Sequence, residues 1–428
     1  MDADARPAAV RPLAAFSVPN FRRFVIGQTV SLVGSWTETV AQALLVLQLT
    51  HSGLWLGLAT AARYLPVLVL TPYAGLIVDR ADKRRVLLTT QLSLAVLSLI
   101  LAALVLLGAI ELWMVFAVAL GFGVLTALDN PARMAFIPEM VGPDLIRNAV
   151  TLNSTMVNVG RALGPVVAAA LVAGVGVGWC FAVNGISFAA VLVALLTIDR
   201  SRLLPGVRVA HRAHQLRDGL AYARGIPEIL APLCMMVLIG TFTYEFEVSL
   251  PLFSRGPLGG GAVTYSWLMG AFGAGSVLGG IYCTKNAQTG VPRMIRAAVL
   301  YMAAMLATAC ANTVATTVVL LVVVGFASIT FLTTGNSTIQ IAAAPAYRGR
   351  VTALWSTAFV GSTPIGATVI GAIGAASPRA AILVGGVACG AAALAGAAVL
   401  FRARSIRLGH CADAPREVEP DRTAALRT

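Results

Sequence analysis

Five ionisable residues lie inside long apolar runs of this 428-residue chain: Glu38, Arg63, Arg161, Glu245 and Glu247. A charge held in hydrocarbon is costly, so such residues are kept for a buried ion pair, for proton binding or for contact with a polar ligand. These side chains are the candidates for chemistry, and the elements that hold them decide which chemistry is available.

Glu38 and Arg63 lie at matching distances from a turn expected near residue 51. Each is about 12 residues away, and at ~1.5 Å per helical residue the two side chains share a depth. We therefore expect an ion pair between the first two apolar runs. A purely structural pair and a pair that couples transport to ion movement fit this pattern equally well.

Arg161 shares a predicted helical face with Ser154 and Asn158. This polar stripe suits a substrate that carries an anion or carboxylate, and it equally suits an arginine packed against amides or carbonyls. Asn184 and Tyr244 either line the same path or form hydrogen bonds between helices.

The acids Glu245 and Glu247 belong to one apolar run. On a continuous helix Glu245 shares a face with Thr241 and Ser249, whereas Glu247 lies about 200° away. Both acids can then hardly face one cavity. We predict Glu245 as the cavity acid and the candidate proton site.

The composition makes lipid the solvent for most of the chain. Hydrophobic residues make up 58% of it and charged residues 11%, too few to cover the surface of a soluble protein. The net charge of +13 is spread between apolar runs, which argues against a nucleic-acid face. The cysteines show no metal or disulfide spacing, and no phosphate-binding loop occurs, so we expect neither metal nor cofactor.

Twelve runs are long enough to cross a bilayer, which needs about 20 apolar residues. Their approximate limits are 24–49, 54–78, 86–108, 112–130, 149–173, 178–198, 229–253, 264–284, 292–311, 314–334, 351–373 and 380–401. The expected fold is an all-α membrane protein of twelve helices.

The distribution of basic residues orients these spans. With the N-terminus inside, all but four of the 31 Lys and Arg residues fall in inside segments. Arg255 and Arg379 alone lie in outside loops, and Arg63 and Arg161 lie within spans. Because Lys and Arg in short loops are retained in the cytoplasm, both termini are predicted to be cytoplasmic.

The long polar segment between the sixth and seventh runs divides the chain. We predict a six-helix bundle over residues 1–198, a cytoplasmic linker over 199–228, a second six-helix bundle over 229–402 and a disordered tail over 403–428. Residues 214–224 have a helix-like pattern that fits the inner membrane face or a solvated linker equally well. Paired halves of this kind are typical of transporters, with the binding site between them.

The loop after the second run reads GLIVDRADKRR over residues 75–85. It resembles the signature loop of the major facilitator superfamily, with Asp82 where that family usually has glycine. The resemblance implies the major facilitator fold and a cytoplasmic latch that holds the two halves together in one state. The latch residues would be Gly75, Asp79, Arg80, Lys83, Arg84 and Arg85.

The fifth run contains Gly160, Gly164 and Pro165. Their spacing is similar to the antiporter motif of exporting members, and it equally suits a close packing seam between helices. Ala168 and Ala169 replace the two final glycines of that motif. Ala117 stands where drug antiporters carry a proton-linked arginine, so coupling through that residue is absent.

Further stretches resemble the exporter branch that includes the enterobactin exporter and macrolide efflux carriers. They are FSVPNFRRF over residues 16–24 and NPAR over 130–133. The resemblance implies a proton-coupled efflux carrier for a small drug-like or siderophore-like molecule, in the bacterial inner membrane and in contact with lipid. The alternatives are a nutrient uptake carrier and, from another class, a non-transporting receptor or a membrane-embedded enzyme. The sequence does not indicate an oligomeric state.

Overall fold

A computed structural model describes residues 14–204, 215–286, 288–345 and 347–412 of the chain. The first half contains six long helices. They are α1 (Pro19–Thr50), α2 (Gly53–Arg80), α3 (Lys83–Leu106), α4 (Leu112–Val141), α5 (Ile146–Gly174) and α6 (Val177–Leu196).

The second half begins after a short linker helix, α7 (Gln215–Arg224). Its remaining helices are α8 (Pro227–Phe242), α9 (Phe246–Arg255), α10 (Ala262–Lys285), α11 (Val291–Cys310), α12 (Val314–Ala342), α13 (Arg348–Val360), α14 (Thr363–Ala376) and α15 (Pro378–Ala412). α15 thus continues beyond Arg402, where the second bundle was predicted to end.

Eleven segments of the described chain are long and apolar enough to cross a membrane. Two of them are helix pairs, α8 with α9 and α13 with α14. α10 occupies the position of the eighth predicted span and is 24 residues long, but its glycines, tyrosines and lysine keep it outside the eleven. The prediction of an all-helical, multi-pass membrane protein is confirmed.

Two predicted spans are interrupted rather than continuous. Thr243 to Glu245 separate α8 from α9, and Gly361 with Ser362 separates α13 from α14. Pro364 explains the second interruption, because its ring has no N–H for the carbonyl of Val360 and crowds it. Both interruptions lie near the middle of their membrane-spanning segments. Backbone N–H and C=O groups that lose their helical hydrogen bonds there must line a cavity or pack against protein.

Neighbouring helices pack closely within each half and at two seams between the halves. In the first half α1 packs on α5 and α6, and α3 packs on α4 and α6. In the second half α10 packs on α12, and α11 packs on α12 and α15. Between the halves, α2 meets α14 and α5 meets α10. Glycine makes the α2–α14 seam possible, because a methyl group at Gly57 or Gly371 would strike the facing backbone.

The two ends of this interface differ. Toward the α1–α2 turn, Gly57 lies against Ala367, and Arg255 Nη1 donates to Leu47 O at 3.0 Å. Toward the other end, which carries the basic loop at residues 80–85 and is called the basic end below, Thr71 is exposed although it shares a face of α2 with Gly57, and α2 touches α13 only slightly. The halves are therefore closed at the α1–α2 turn and open toward the basic end.

The linker helix α7 docks on the second half. The Tyr222 ring stacks on the Tyr347 ring with centroids 4.0 Å apart, and Asp218 lies 3.9 Å from the Arg350 guanidinium. Tyr222 Oη also accepts from the Ala344 N–H at 3.0 Å. The described part of the linker is thus a packed helix, whereas residues 205–214 and 413–428 lie outside the described chain.

Candidate functional site

A cavity of about 160 Å³ lies where the two halves meet. It is lined from the first half by α1, α2 and α5, and from the second half by the α8–α9 junction, α10 and the α13–α14 junction. Aromatic rings form much of its wall: Trp36, Tyr64, Tyr244, Phe246, Phe272 and Phe359. Its charged lining residues are Arg161, Glu245 and Glu247. An aromatic wall with a few placed charges is the usual chemistry of a small-molecule site.

The α8–α9 interruption brings both acids of this segment into the cavity, so the prediction that only one of them faces it is wrong. The 200° separation assumed a continuous helix, whereas Glu245 adopts a non-helical conformation with φ −81° and ψ 43°. Thr243 Oγ1 donates to Gly385 O and Tyr244 Oη donates to Ser328 O, both at 2.9 Å. These bonds anchor the interruption to α15 and α12.

Glu247 faces the cations of the first half. Tyr64 Oη lies 3.5 Å from Glu247 Oε1, and both Arg63 and Arg161 lie within electrostatic range of this carboxylate. Glu247 also lines a second, much smaller chamber of about 10 Å³, together with Arg63 and Gln42. Its negative charge is therefore balanced across the interface between the halves.

Glu245 is placed differently although it is two residues away. It is only 4% exposed, and Thr363 at the α13–α14 junction lines the cavity beside it. One carboxylate oxygen, Oε1, is buried and has no hydrogen-bond partner among the described residues. Glu247 is the charged neighbour that acts on it most strongly, and that neighbour is also an acid. Among the described residues, Glu245 is thus a cavity carboxylate with no cation in ion-pair contact.

Arg161 reaches the cavity from α5. Its guanidinium lies over the Trp36 ring, 5.0 Å from the centroid, and its Nε is buried without a hydrogen-bond partner in the described chain. Asn158 instead donates to Ser154 O of its own helix at 3.0 Å. Of the predicted polar stripe, only Arg161 lines the cavity.

The predicted ion pair between Glu38 and Arg63 does not form. Glu38 is fully buried and accepts hydrogen bonds from Ser98 Oγ and, at 2.5 Å, from Asn184 Nδ2. Arg63 Nη1 donates to Gln42 Oε1 at 2.9 Å. Equal depth did not make the two side chains partners, because α3 and α6 supply donors to Glu38 and the neighbouring turn of α1 supplies an acceptor to Arg63.

The basic loop makes its described contacts within the first half. Lys83 Nζ lies 3.0 Å from Glu139 Oε1 of α4, and Arg84 Nε donates to Leu195 O of α6 at 2.7 Å. Asp82 caps α3 by accepting from the Arg85 N–H at 3.1 Å. The departure from glycine at residue 82 thus supplies a helix cap.

Gly160 and Gly164 form a tight seam between α5 and α1. A side chain at either position would meet Leu32, Trp36 or Thr37 of α1. Thr37 Oγ1 also donates to Gly164 O at 3.0 Å. α5 runs through Pro165 without interruption. The glycines therefore fix the helix that carries Arg161 against the helix that carries Trp36.

Three side chains of this region were not predicted from the sequence, and a fourth, Glu247, was identified but predicted to face away from the cavity of Glu245. Glu247 was set aside by the assumption of an unbroken helix, and Tyr64, Gln42 and Ser98 carry no local signal that separates them from other polar residues in apolar runs. Asn184 forms an interhelical hydrogen bond, one of its two expected roles, and Tyr244 does so while also lining the cavity.

Solved structures support the fold. A bacterial homologue of the human lysosomal transporter Spinster, in an inward-facing and unoccupied conformation, matches with a TM-score of 0.69 at 13% identity, covering 89% of this chain and 97% of that one. The nucleoside transporter NupG matches with a TM-score of 0.70 at 13% identity, covering 89% and 99%.

Curated relatives are transport proteins. The staphyloferrin A transporter of Staphylococcus aureus is 30% identical over 40% of this chain and 46% of its own length. Macrolide efflux protein A of Streptococcus pyogenes is 25% identical over 60% and 64%, and the enterobactin exporter of Salmonella typhi is 25% identical over 44% and 46%. The matched segment thus spans about half to two thirds of each of these relatives.

A family match extends over nearly the whole chain. Residues 10–424 match the family described as transmembrane secretion effectors. That length includes both halves, the cavity between them and the basic loop. The chain therefore belongs to the transmembrane secretion effector family of the major facilitator superfamily.

Proposed function

We propose that the protein exports a small organic molecule by secondary active transport, with alternating access and proton coupling. The observation that carries the proposal is the charged aromatic cavity between two halves that are closed at the α1–α2 turn and open toward the basic end. With the basic end in the cytoplasm, the cavity faces the compartment from which an exported molecule enters.

The membrane arrangement in this proposal has twelve spans and cytoplasmic termini in the inner membrane. α10 is counted as a span here and brings the total to twelve, since it packs on α12 and meets α5 across the interface. The bundles correspond to residues 1–198 and 229–402, joined by the linker at 199–228. Lipid contacts the outer faces, where large apolar side chains such as Trp113 and Leu394 are exposed.

Proton coupling is assigned to the cavity acids, with Glu245 as the first candidate. A carboxylate can take up a proton when the cavity opens to one side and release it on the other. The groups that face Glu245 are Glu247 two residues on, Thr363 at the α13–α14 junction, and Arg161 and Tyr64 across the cavity. Of the two cavity acids, Glu245 has fewer interactions with neighbouring groups than Glu247, so it loses less when it is protonated.

The basic loop takes the role of the latch in the opposite state. When the basic end closes, Gly75, Asp79 and Arg80 come close to the second half, while Lys83, Arg84 and Arg85 hold the ends of α3, α4 and α6. The seam at Gly160, Gly164 and Pro165 keeps α1 and α5 moving as one body.

The test is flux in inverted membrane vesicles over a panel of drugs and siderophore-like acids. We expect uptake into the vesicles that a protonophore abolishes, and loss of this proton-driven uptake in Glu245→Gln. The matched control is Glu111→Gln, which removes an exposed carboxylate from the start of α4 and should transport normally.

The other outcomes separate the alternatives. Flux in the opposite direction would support an uptake carrier. Absence of protein-dependent flux for every compound would contradict transport and favour the receptor. Transport that is still driven by a pH gradient in Glu245→Gln would overturn the assignment of the proton site.

A further inference from the structure

Two side chains of opposite charge line the cavity and form no ion pair with each other within 4 Å: Arg161 and Glu245. Arg161 offers the donors of a guanidinium, and Glu245 offers the acceptors of a carboxylate. They come from different halves, Arg161 from α5 and Glu245 from the α8–α9 junction. A charged side chain in a cavity wall is a place where a ligand group of the opposite charge can bind.

The remaining charges of the region already have counterparts. Arg63 donates to Gln42 and lies over the Phe122 ring at 4.9 Å from its centroid. Glu247 has Tyr64 Oη at 3.5 Å and the two arginines within electrostatic range. Glu245 is therefore the cavity acid without a neighbouring cation among the described residues, and Arg161 faces Glu247 without an ion pair within 4 Å, so its guanidinium remains able to bind a ligand carboxylate.

We infer that the substrate class is zwitterionic: an aromatic or otherwise flat molecule whose carboxylate binds Arg161 and whose ammonium group binds Glu245. This inference rests on the proposed export function and specifies its substrate. The rings of Tyr244, Phe246, Phe272 and Phe359 supply the surface for the flat body and additional attraction for the ammonium group. Trp36, which already stacks on the Arg161 guanidinium, holds the cation in place.

The geometry also connects binding to movement. A zwitterion of this kind bridges the first half to the second, whereas a ligand with a single charge engages one half only. Because one carboxylate cannot hold a proton and an ammonium group at the same time, the ligand and the proton compete for Glu245. Exchange of one for the other gives export in return for proton entry.

Three forms of one molecule test the inference on the purified full-length protein. Ciprofloxacin is an aromatic zwitterion, its methyl ester is a cation, and its N-acetyl derivative is an anion. Binding of each is measured by calorimetry or by quenching of the cavity tryptophan. We expect the zwitterion to bind at least about 10-fold more tightly than either derivative, since each charge-assisted hydrogen bond contributes about a factor of 10.

Two substitutions assign the two ends of the ligand. Glu245→Gln should remove the advantage of the zwitterion over the N-acetyl form, and Arg161→Gln should remove its advantage over the ester. The form that lacks the affected group should bind each variant as it binds the wild type, which shows that the variant is folded. Glu247→Gln is the matched control, because it removes the same charge from the same cavity and should leave the zwitterion's advantage over the N-acetyl form in place.

The inference is overturned if either singly charged form binds as tightly as the zwitterion, if none of the three binds, or if Glu247→Gln rather than Glu245→Gln removes the preference for the ammonium group. Proton-driven export of singly charged compounds together with any of these results would leave the proposed function standing. Loss of all proton-driven export would instead contradict the proposed function itself.

Discussion

The two halves of the molecule each hold a buried acid, and the surroundings of these two acids differ. In the first half the long helices are continuous, and Glu38 is bound by Ser98 and Asn184 of its own bundle. In the second half two spans are interrupted, and the interruption in one places Glu245 and Glu247 in the wall of the cavity. A carboxylate held by hydrogen bonds inside a bundle fixes structure, whereas a carboxylate in a cavity wall at a helix break is available for ligand and proton. The first half accordingly serves as a fixed scaffold, called the frame below, and the second half carries the acid that exchanges a proton for a ligand.

The largest effect is expected in the frame. Gly164→Leu forces a side chain into Trp36 and Thr37 of α1, because the added Cβ alone would overlap the Trp36 Cβ atom. We expect loss of monodisperse protein, measured by fluorescence-detected size exclusion. Gly174→Leu, at the end of the same helix with open space around it, should behave like the wild type. Normal behaviour of Gly164→Leu would break the claim that the α1–α5 seam is rigid.

The next effect separates a structural acid from a functional one. Glu38→Leu leaves the Asn184 amide buried without its acceptor and should lower the free energy of unfolding by about 1–3 kcal/mol. Transport per folded molecule should be retained. Glu245→Gln should show the reverse, with unchanged thermal unfolding and lost proton-driven transport. If both variants lose transport without losing stability, the contrast between the halves fails.

A smaller effect concerns the helix ends of the frame. Arg84 donates from Nε to Leu195 O and from Nη2 to Leu196 O, which closes the end of α6 with a geometry that lysine cannot reproduce. Arg84→Lys should cost about 1 kcal/mol of unfolding free energy, measured in detergent by thermal or denaturant unfolding. Arg85→Lys is the control, since the Arg85 side chain is exposed and its ion pair with Asp82 is 3.7 Å long. Equal stability of the two variants would show that Arg84 does not cap α6.

The smallest effect is expected at the linker. Asp218→Asn removes a 3.9 Å ion pair whose acid is more than half exposed, so the change in unfolding free energy should stay below ~0.5 kcal/mol. Tyr222→Ala should cost more, because it removes both the stacked ring and the bond to Ala344. The measurement is thermal unfolding of the two variants side by side. The reverse order would show that charge rather than stacking docks α7.

The sequence was sufficient for the class of fold because lipid imposes a simple rule. Apolar runs of about 20 residues become spanning helices whatever their detailed packing, and the basic loop at residues 75–85 identifies the superfamily. The candidate acids and arginines were found for the same reason, since a charge in an apolar run stands out. The match over residues 10–424 confirms that resemblance.

The partners of those charges could not be predicted from spacing. Depth along a helix is set by residue number, but the direction of a side chain depends on which neighbour supplies a donor. Glu38 found Ser98 and Asn184 rather than Arg63. The positions of Glu245 and Glu247 depended on a break that no proline marks, because the anchors are Gly385 on α15 and Ser328 on α12.

The most direct measurement compares Glu38→Gln with Glu245→Gln in proteoliposomes that carry an imposed pH gradient. Substrate flux and proton flux are recorded together for each variant. Glu38→Gln should keep both fluxes, because Glu38 belongs to the frame, and Glu245→Gln should lose the gradient-driven component of both. Proton-coupled flux that survives in Glu245→Gln and disappears in a folded Glu38→Gln would contradict the division between a fixed first half and an exchangeable second half.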